Sequence, residues 1–113
     1  LFSAYMVSDK ETLDIINKAF TNYNYILDPH SAVGYGAAQK ALNDKIISND
    51  IPLVSLACAH PAKFPDIINK AINIRPDLPS NLKFLMSSEE HFEIIDPKIS
   101  IIQNFIKSNM RRK

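Results

Sequence analysis

Two pairs of polar residues could take part in chemistry, and the first pair follows an apolar stretch of the chain. Cys58 ends an uncharged, aliphatic run at residues 53–58, and His60 comes two residues later. The length and composition of this run predict a strand that is buried on both faces. A helical pattern follows, and in open α/β sheets small molecules bind at the carboxyl ends of the strands. Cys58 and His60 are therefore candidate binding residues in an α/β fold.

The second pair, His30 and Ser31, lies in the first turn of a predicted helix. Asp28 and Pro29 precede it as a typical N-cap and first helical residue. A helix N-terminus offers free N–H groups, which suit a phosphate or a carboxylate. A purely structural interpretation stays open, in which Asp28 and Ser31 only cap the helix.

The other candidate residues also have structural interpretations. Cys58 could be a small buried side chain, and nothing in the sequence predicts an activated thiol. His60 precedes a proline and could be a hydrogen-bonded turn residue. His91 has no motif around it and is predicted to be exposed. No pair of histidines or carboxylates has the spacing of metal ligands, so the sequence predicts no metal site.

Four helices must position these residues. Their apolar periodicity predicts them at about residues 8–22, 28–45, 63–73 and 96–110. The first begins with a capping box of Ser8 and Glu11. Gly34 and Gly36 lie inside the second, where each costs about 1 kcal/mol relative to alanine. This cost predicts the close approach of a neighbouring backbone or of a ligand. The buried face of the last predicted helix consists of Ile99, Ile102, Phe105 and Ile106.

The composition limits the size and the partners of the protein. A chain of 113 residues with 46% hydrophobic residues can bury one modest core, which predicts a single unit over residues 1–113. A net charge of +1 gives no reason to expect a nucleic-acid partner. The basic end at residues 110–113 is interpreted as a solvated terminus, with a nucleic-acid contact as the alternative.

Location and completeness are also expectations from the sequence. One cysteine allows no internal disulfide, which fits a reducing compartment. No apolar run is long enough for a membrane span and no secretion signal is evident, so we expect a cytoplasmic protein without a membrane partner. The chain opens at Leu1 without an initiator methionine, as an engineered piece, a processed product or a fragment would. With at most three strands it is expected to be part of a larger α/β structure.

Two segments of the chain resemble signatures of a known family. DPHSAVGYGAAQKAL at residues 28–42 and LACAHPAKFP at residues 56–65 resemble the segments DPHTAVG and ATAHPAKF in the carboxy-terminal part of threonine synthase, in its long bacterial and fungal form. The order and the spacing of the two segments also fit. The resemblance covers nearly all of residues 3–73 and, loosely, the remainder.

The resemblance implies a portion of a fold type II pyridoxal-phosphate enzyme, similar to the tryptophan synthase β-subunit. In this portion we expect mostly helices and the one buried strand at residues 53–58. The family converts O-phospho-L-homoserine and water to L-threonine and phosphate, with pyridoxal phosphate as an electron sink. Its Schiff-base lysine and its glycine-rich phosphate loop lie upstream of this region. The isolated chain is therefore expected to be inactive, with the amino-terminal part of the enzyme as its partner.

The resemblance also implies roles for individual residues. Cys58 stands where the family has a threonine whose hydroxyl faces the pyridine nitrogen of the cofactor, and a thiol would make a poorer contact. Ser31 also replaces a threonine but keeps a hydroxyl. The resemblance implies cofactor-pocket roles for Asp28, His30, Ser31, Cys58 and His60. Lys63 is not the Schiff-base lysine and is expected at the rim of the pocket or in a structural role.

A second hypothesis is a non-catalytic fragment or a decayed remnant with at most a binding or structural role. The missing lysine motif and glycines, which deny activity to the isolated chain, favour it, and the replacement of threonine by Cys58 points the same way. If the piece folds alone, apolar surface that the missing part would cover is exposed, and self-association is expected.

Overall fold

The computed structural model describes residues 2–48 and 50–110, which form four α-helices and two 3-10 helices. The predicted helices at 8–22, 28–45, 63–73 and 96–110 each overlap one of the four α-helices. These are α1 (Asp9–Tyr23), α2 (Pro29–Asn43), α3 (Pro65–Ile72) and α4 (Ile99–Asn109), and the 3-10 helices are Pro61–Lys63 and Ser80–Met86.

Contacts between residues group the chain into two compact units, Leu1–Ser80 and Asn81–Lys113. The prediction that residues 1–113 form a single unit of a larger catalytic fold stays a prediction. Leu1 and residues 111–113 of the predicted basic end lie outside the described residues. Within the described part of the chain, no helix combines the length and the apolar character that crossing a membrane requires.

Helix α1 begins as its sequence predicts. The Ser8 hydroxyl accepts the N–H of Glu11 at 3.4 Å, and the Ser8 N–H donates to the Glu11 carboxylate at 2.8 Å. These two hydrogen bonds form the predicted capping box. The helix ends at Asn24, which adopts a left-handed conformation with φ of 51°. Local interactions, a side-chain capping box at the start and a left-handed residue at the end, therefore bound α1.

Three helices share the core of the first unit. Helix α1 packs against both α2 and α3. Each of these helices contributes one side chain that is 0% exposed: Ile16 from α1, Ala32 from α2 and Ile68 from α3. Partly buried apolar residues pack around these three: Ile15, Ile26, Leu27, Ala71 and Ile72. This core holds the N-terminus of α2 against the remainder of the unit.

The two glycines of α2 allow the close approach of side chains. A Cβ atom at Gly36 would lie 2.5 Å from Cδ1 of Ile15 and 3.2 Å from Cγ2 of Val7. A Cβ atom at Gly34 would lie 3.0 Å from the hydroxyl oxygen of Ser55. The absence of a side chain at Gly36 therefore lets α1 and the segment before it pack on α2.

The prediction of a buried strand at residues 53–58 is wrong. The structure has neither a helix nor a strand in this stretch, and Val54 and Leu56 are 82% and 77% exposed. A strand is stabilised by hydrogen bonds to a neighbouring strand, and no residue in 2–48 or 50–110 belongs to one. The aliphatic composition of residues 53–58 favours a strand. A strand also needs a neighbouring strand, and composition does not show whether the chain provides one.

The second unit contains α4 and most of the second 3-10 helix. Helix α4 begins after Lys98, which provides no side-chain cap. Its predicted buried face is exposed, since Ile99 is 76% and Ile106 51% accessible, and only Phe105 is half-buried among residues 81–110. An amphipathic pattern shows which face a helix would bury, and within the described part of this unit nothing covers that face.

Candidate functional site

The candidate site is built around the N-terminus of α2, where Asp28 is the N-cap. Asp28 is only 2% exposed. Its Oδ1 atom accepts the backbone N–H of His30 at 3.0 Å and that of Ser31 at 3.4 Å. The Ser31 hydroxyl donates to Oδ2 of the same carboxylate. The His30 ring is also close, with its Nδ1 atom 3.2 Å from Asp28 Oδ1.

These hydrogen bonds set the charge of Asp28. Burial by itself would raise the pKa of the Asp28 carboxyl. The hydrogen bonds from the Ser31 hydroxyl, the two backbone N–H groups and the His30 side chain outweigh burial, so the pKa of Asp28 lies below its usual value. Near neutral pH, Asp28 is therefore an ionised group that only accepts hydrogen bonds.

Ser31 connects α2 to the second family segment. The backbone N–H of Cys58 donates to the Ser31 hydroxyl oxygen at 3.3 Å, across 27 residues of sequence. The Cys58 side chain is exposed, and its thiol lies 3.6 Å from the carbonyl oxygen of Leu56. The structure therefore joins three of the predicted site residues, Asp28, Ser31 and Cys58, through consecutive hydrogen bonds.

His60 makes a local contact instead. Its Nδ1 atom accepts the backbone N–H of Ala62 at 3.2 Å and caps the 3-10 helix Pro61–Lys63. Since Nδ1 is the acceptor, the proton of the neutral ring is on Nε2. The His60 ring is exposed. This contact agrees with the turn interpretation of His60. The Nε2–H of the ring lies on the side opposite to the cap bond and is not used by it.

The sequence did not predict the partner of the His30 ring. The centroid of the Phe64 ring lies 5.0 Å from that of His30, with 60° between the two planes. The only available signal was the presence of Phe64 in the PAKF part of the second family segment. Lys63 Nζ lies 6.0 Å from the Phe64 ring centroid and forms no part of the Asp28 hydrogen-bond group. Phe64 therefore packs beside the His30 ring.

Two of the cavities that described residues of the first unit line bear on the site. The larger, of about 590 Å³, lies between α1 and α2. The smaller, of about 390 Å³, is lined by residues of α1, α2 and α3, including Thr12, Ile67 and Lys70. His30 lines the smaller cavity, and it is the one predicted site residue among the lining residues of these two. Cys58 and His60 instead lie on open surface.

The sequence also singled out His91 and the question of a metal site. His91 is exposed in the second unit, as predicted. Within residues 2–48 and 50–110, no three histidine, cysteine, aspartate or glutamate side chains are arranged to hold a metal ion.

Comparison with known proteins identifies the family. The sequence model described as "Threonine synthase, C-terminal" matches residues 31–106, which is more than half of the chain. The chain belongs to the threonine synthase family. Threonine synthase from Pseudomonas aeruginosa is 34% identical over 113 residues, which cover 99% of this chain and 23% of that protein.

Two solved threonine synthases have similar structures. The pyridoxal-phosphate-bound enzyme from Brucella melitensis has a TM-score of 0.77 and 35% identity over 98% of this chain and 23% of that one. The yeast enzyme has a TM-score of 0.68 and 33% identity over 94% of this chain and 23% of that one. This similarity supports the predicted fold, that of the carboxy-terminal part of threonine synthase. The chain spans about a quarter of the length of these relatives.

Proposed function

We propose that this chain is the carboxy-terminal part of a threonine synthase, which converts O-phospho-L-homoserine and water to L-threonine and phosphate. The observation that carries the proposal is the structural similarity to a threonine synthase solved with pyridoxal phosphate bound, at 35% identity over 98% of the chain. The hydrogen bond between Ser31 and Cys58 supports it, since it brings the two family segments together. The predicted cytoplasmic location belongs to the same proposal.

The residues of the chain fit one wall of a cofactor site. Pyridoxal phosphate, when bound, would supply an electron sink for carbanions formed on the substrate. The Cys58 thiol would face its pyridine nitrogen, with His60 beside it and Asp28, His30 and Ser31 supporting the same wall. The Cys58 thiol and the His60 ring are exposed, while the main chain that carries Cys58 is held by Ser31. An exposed side chain on a fixed backbone suits a group that meets a ligand.

The remaining wall would come from the amino-terminal part of the enzyme. The two glycines of the chain both lie inside α2, and neither has a positive φ, so they form no loop that could surround a phosphate. We therefore assign the phosphate loop to the amino-terminal part. The Schiff-base lysine is assigned to the same part because the family resemblance implies that it lies upstream. The exposed apolar residues Val54 and Leu56 are proposed to be covered by that part, and their exposure in the isolated piece favours self-association.

A reconstitution experiment tests the proposal. Phosphate release from O-phosphohomoserine would be measured with pyridoxal phosphate present, first with this chain alone and then after adding the amino-terminal part of the Pseudomonas aeruginosa relative. We expect activity only in the mixture. Cys58→Ala should lower that activity and Cys58→Thr should preserve or raise it, with Ser55→Ala as an exposed control in the same segment. A folded and associated mixture without activity would favour the non-catalytic remnant.

A further inference from the structure

We propose that Asp28 and Ser31 are positioning residues, which fix the backbone of Cys58 and do not themselves contact cofactor or substrate. The inference rests on the proposed function and refines it. It assigns four of the five predicted site residues to two groups. Cys58 and His60 present exposed side chains to a ligand, whereas Asp28 and Ser31 hold the main chain beneath them.

The first argument is that the Asp28 carboxylate is buried and both of its oxygens already accept hydrogen bonds within the protein. Its carboxylate receives the N–H groups of His30 and Ser31, the Ser31 hydroxyl and the Nδ1 side of the His30 ring. Only 2% of the residue is exposed, so a ligand could not reach the carboxylate without displacing one of these donors. A buried carboxylate whose partners are all protein groups positions those groups and does not contact a ligand itself.

The second argument concerns the direction of the hydrogen bonds. A hydroxyl has one proton to donate and lone pairs with which to accept. Because the ionised Asp28 can only accept, the Ser31 proton must point toward it. The lone pairs of Ser31 are then free for the N–H of Cys58, which lies 3.3 Å away. Asp28 therefore sets the orientation of Ser31, and Ser31 sets the position of the Cys58 peptide group.

The third argument is that no regular secondary structure holds Cys58. Residues 52–58 belong to neither a helix nor a strand, so the bond to Ser31 is a specific tie between this segment and the core of the first unit. Ser31 is 5% exposed and sits next to the fully buried Ala32. Loss of the tie would leave the Cys58 thiol on a mobile segment without altering the packing of α1, α2 and α3.

The single cysteine of the chain permits a direct test. Labelling with ¹⁵N-cysteine gives one amide resonance, that of Cys58, and its hydrogen exchange reports the bond to Ser31. In Ser31→Ala we expect the Cys58 amide to exchange about fivefold faster than in the original chain. A fivefold change in rate corresponds to the net free energy of one typical hydrogen bond. Ser31→Thr keeps the hydroxyl and should restore slow exchange. Ser55→Ala, an exposed change in the same segment, should have no effect.

A second variant separates positioning from helix capping. Asn is as good an N-cap as Asp, so Asp28→Asn should keep α2 intact by circular dichroism. Its side-chain amide, however, presents a donor where Oδ2 accepts the Ser31 proton, which reverses the hydroxyl and turns its proton toward Cys58. We expect faster Cys58 exchange with unchanged helix content. In the active mixture, Asp28→Asn should lower kcat about fivefold and leave KM nearly unchanged.

Two outcomes would overturn the inference. One is equal exchange of the Cys58 amide in the original chain, Ser31→Ala and Asp28→Asn with helix content preserved. The other is faster exchange with kcat unaffected in the mixture. The exchange measurement needs neither cofactor nor partner, so its failure would leave the proposed function untouched. An inactive mixture with the expected exchange rates would instead count against the proposed function alone.

Discussion

Lys40 Nζ lies 2.7 Å from Oε1 of Glu11, and this ion pair joins the last turn of α2 to the first turn of α1. The same ammonium group donates to the carbonyl oxygen of Met6 at 2.7 Å. Glu11 also receives the N–H and the hydroxyl of Ser8, each at 2.8 Å. One carboxylate thus serves both the start of α1 and the contact between the two helices.

This arrangement predicts a specific dependence of stability on pH. The hydrogen bond from Lys40, followed by those from Ser8, lowers the pKa of Glu11 from 4.5 to about 2. The folded state therefore holds the Glu11 proton less tightly than the unfolded chain does. The stabilisation is complete above pH 4.5 and is lost as the pH falls toward and through about 2.

The measurement is the free energy of unfolding of the original chain and of Glu11→Gln in urea across this pH range. Glutamine still completes a capping box, so the variant removes chiefly the charge. We expect the variant to be less stable above pH 4.5 and the difference to shrink toward pH 2. Asp28 titrates in both proteins and cancels in the difference. A difference that is independent of pH would contradict the assignment.

Two adjacent isoleucines of α3 test the core. Ile68 is 0% exposed and packs with Ile16 and Ala32, whereas Ile67 is 41% exposed. Ile68→Ala should lower the free energy of unfolding by about 2–5 kcal/mol, because it leaves a cavity at the centre of three helices. Ile67→Ala makes the same chemical change on the same helix and should cost a fraction of that. Equal losses would show that α3 does not pack as described.

The two glycines of α2 form a second matched pair. Both have ordinary helical backbones, so alanine gains the same helix propensity at each. At Gly36 the new methyl group would press on Ile15 and Val7, whereas at Gly34 it would meet only the rotatable hydroxyl of Ser55. Gly36→Ala should therefore be less stable than Gly34→Ala by about 1–3 kcal/mol. Thermal unfolding of the two variants gives the comparison, and the reverse order would be inconsistent with the packing of α1 on α2.

Exposed apolar side chains predict self-association of the isolated chain. Val54 and Leu56 are 82% and 77% accessible on a segment without regular structure. Sedimentation velocity should show a mass that rises with protein concentration, and a lysine at either position should reduce this rise. Thr21→Lys adds the same charge at an exposed polar site and serves as the control. A monomer at every concentration would refute the prediction.

Local signals in the sequence predicted the starts of α1 and α2. Ser8 with Glu11, and Asp28 with Pro29, act within one turn of the chain, so their residue types alone decide the structure. The run at residues 53–58 failed as a strand because a strand depends on partners distant in sequence. Ile99 on α4 was predicted to be buried and is exposed for the same reason. The pattern of a helix shows its apolar face but not which other part of the protein covers that face.

The local contacts of the candidate site were predictable from the sequence, and its contacts between distant segments were not. Asp28, His30 and Ser31 are neighbours in sequence, and their proximity followed from the helix start. The bond from Cys58 to Ser31 spans 27 residues, and the contact of Phe64 with His30 joins two separate segments. Neither contact has a signature in spacing or composition, because tertiary packing creates both.

The buried carboxylate at the start of α2 has one more consequence. The N–H groups of His30 and Ser31, which a helix N-terminus would otherwise offer to an anion, are already donated to Asp28. The helix thus carries its own internal counter-ion, and a phosphate arriving there would meet a negative charge. An anionic group of a cofactor or substrate must consequently find its cationic and N–H partners elsewhere, and the start of α2 acts as a fixed support.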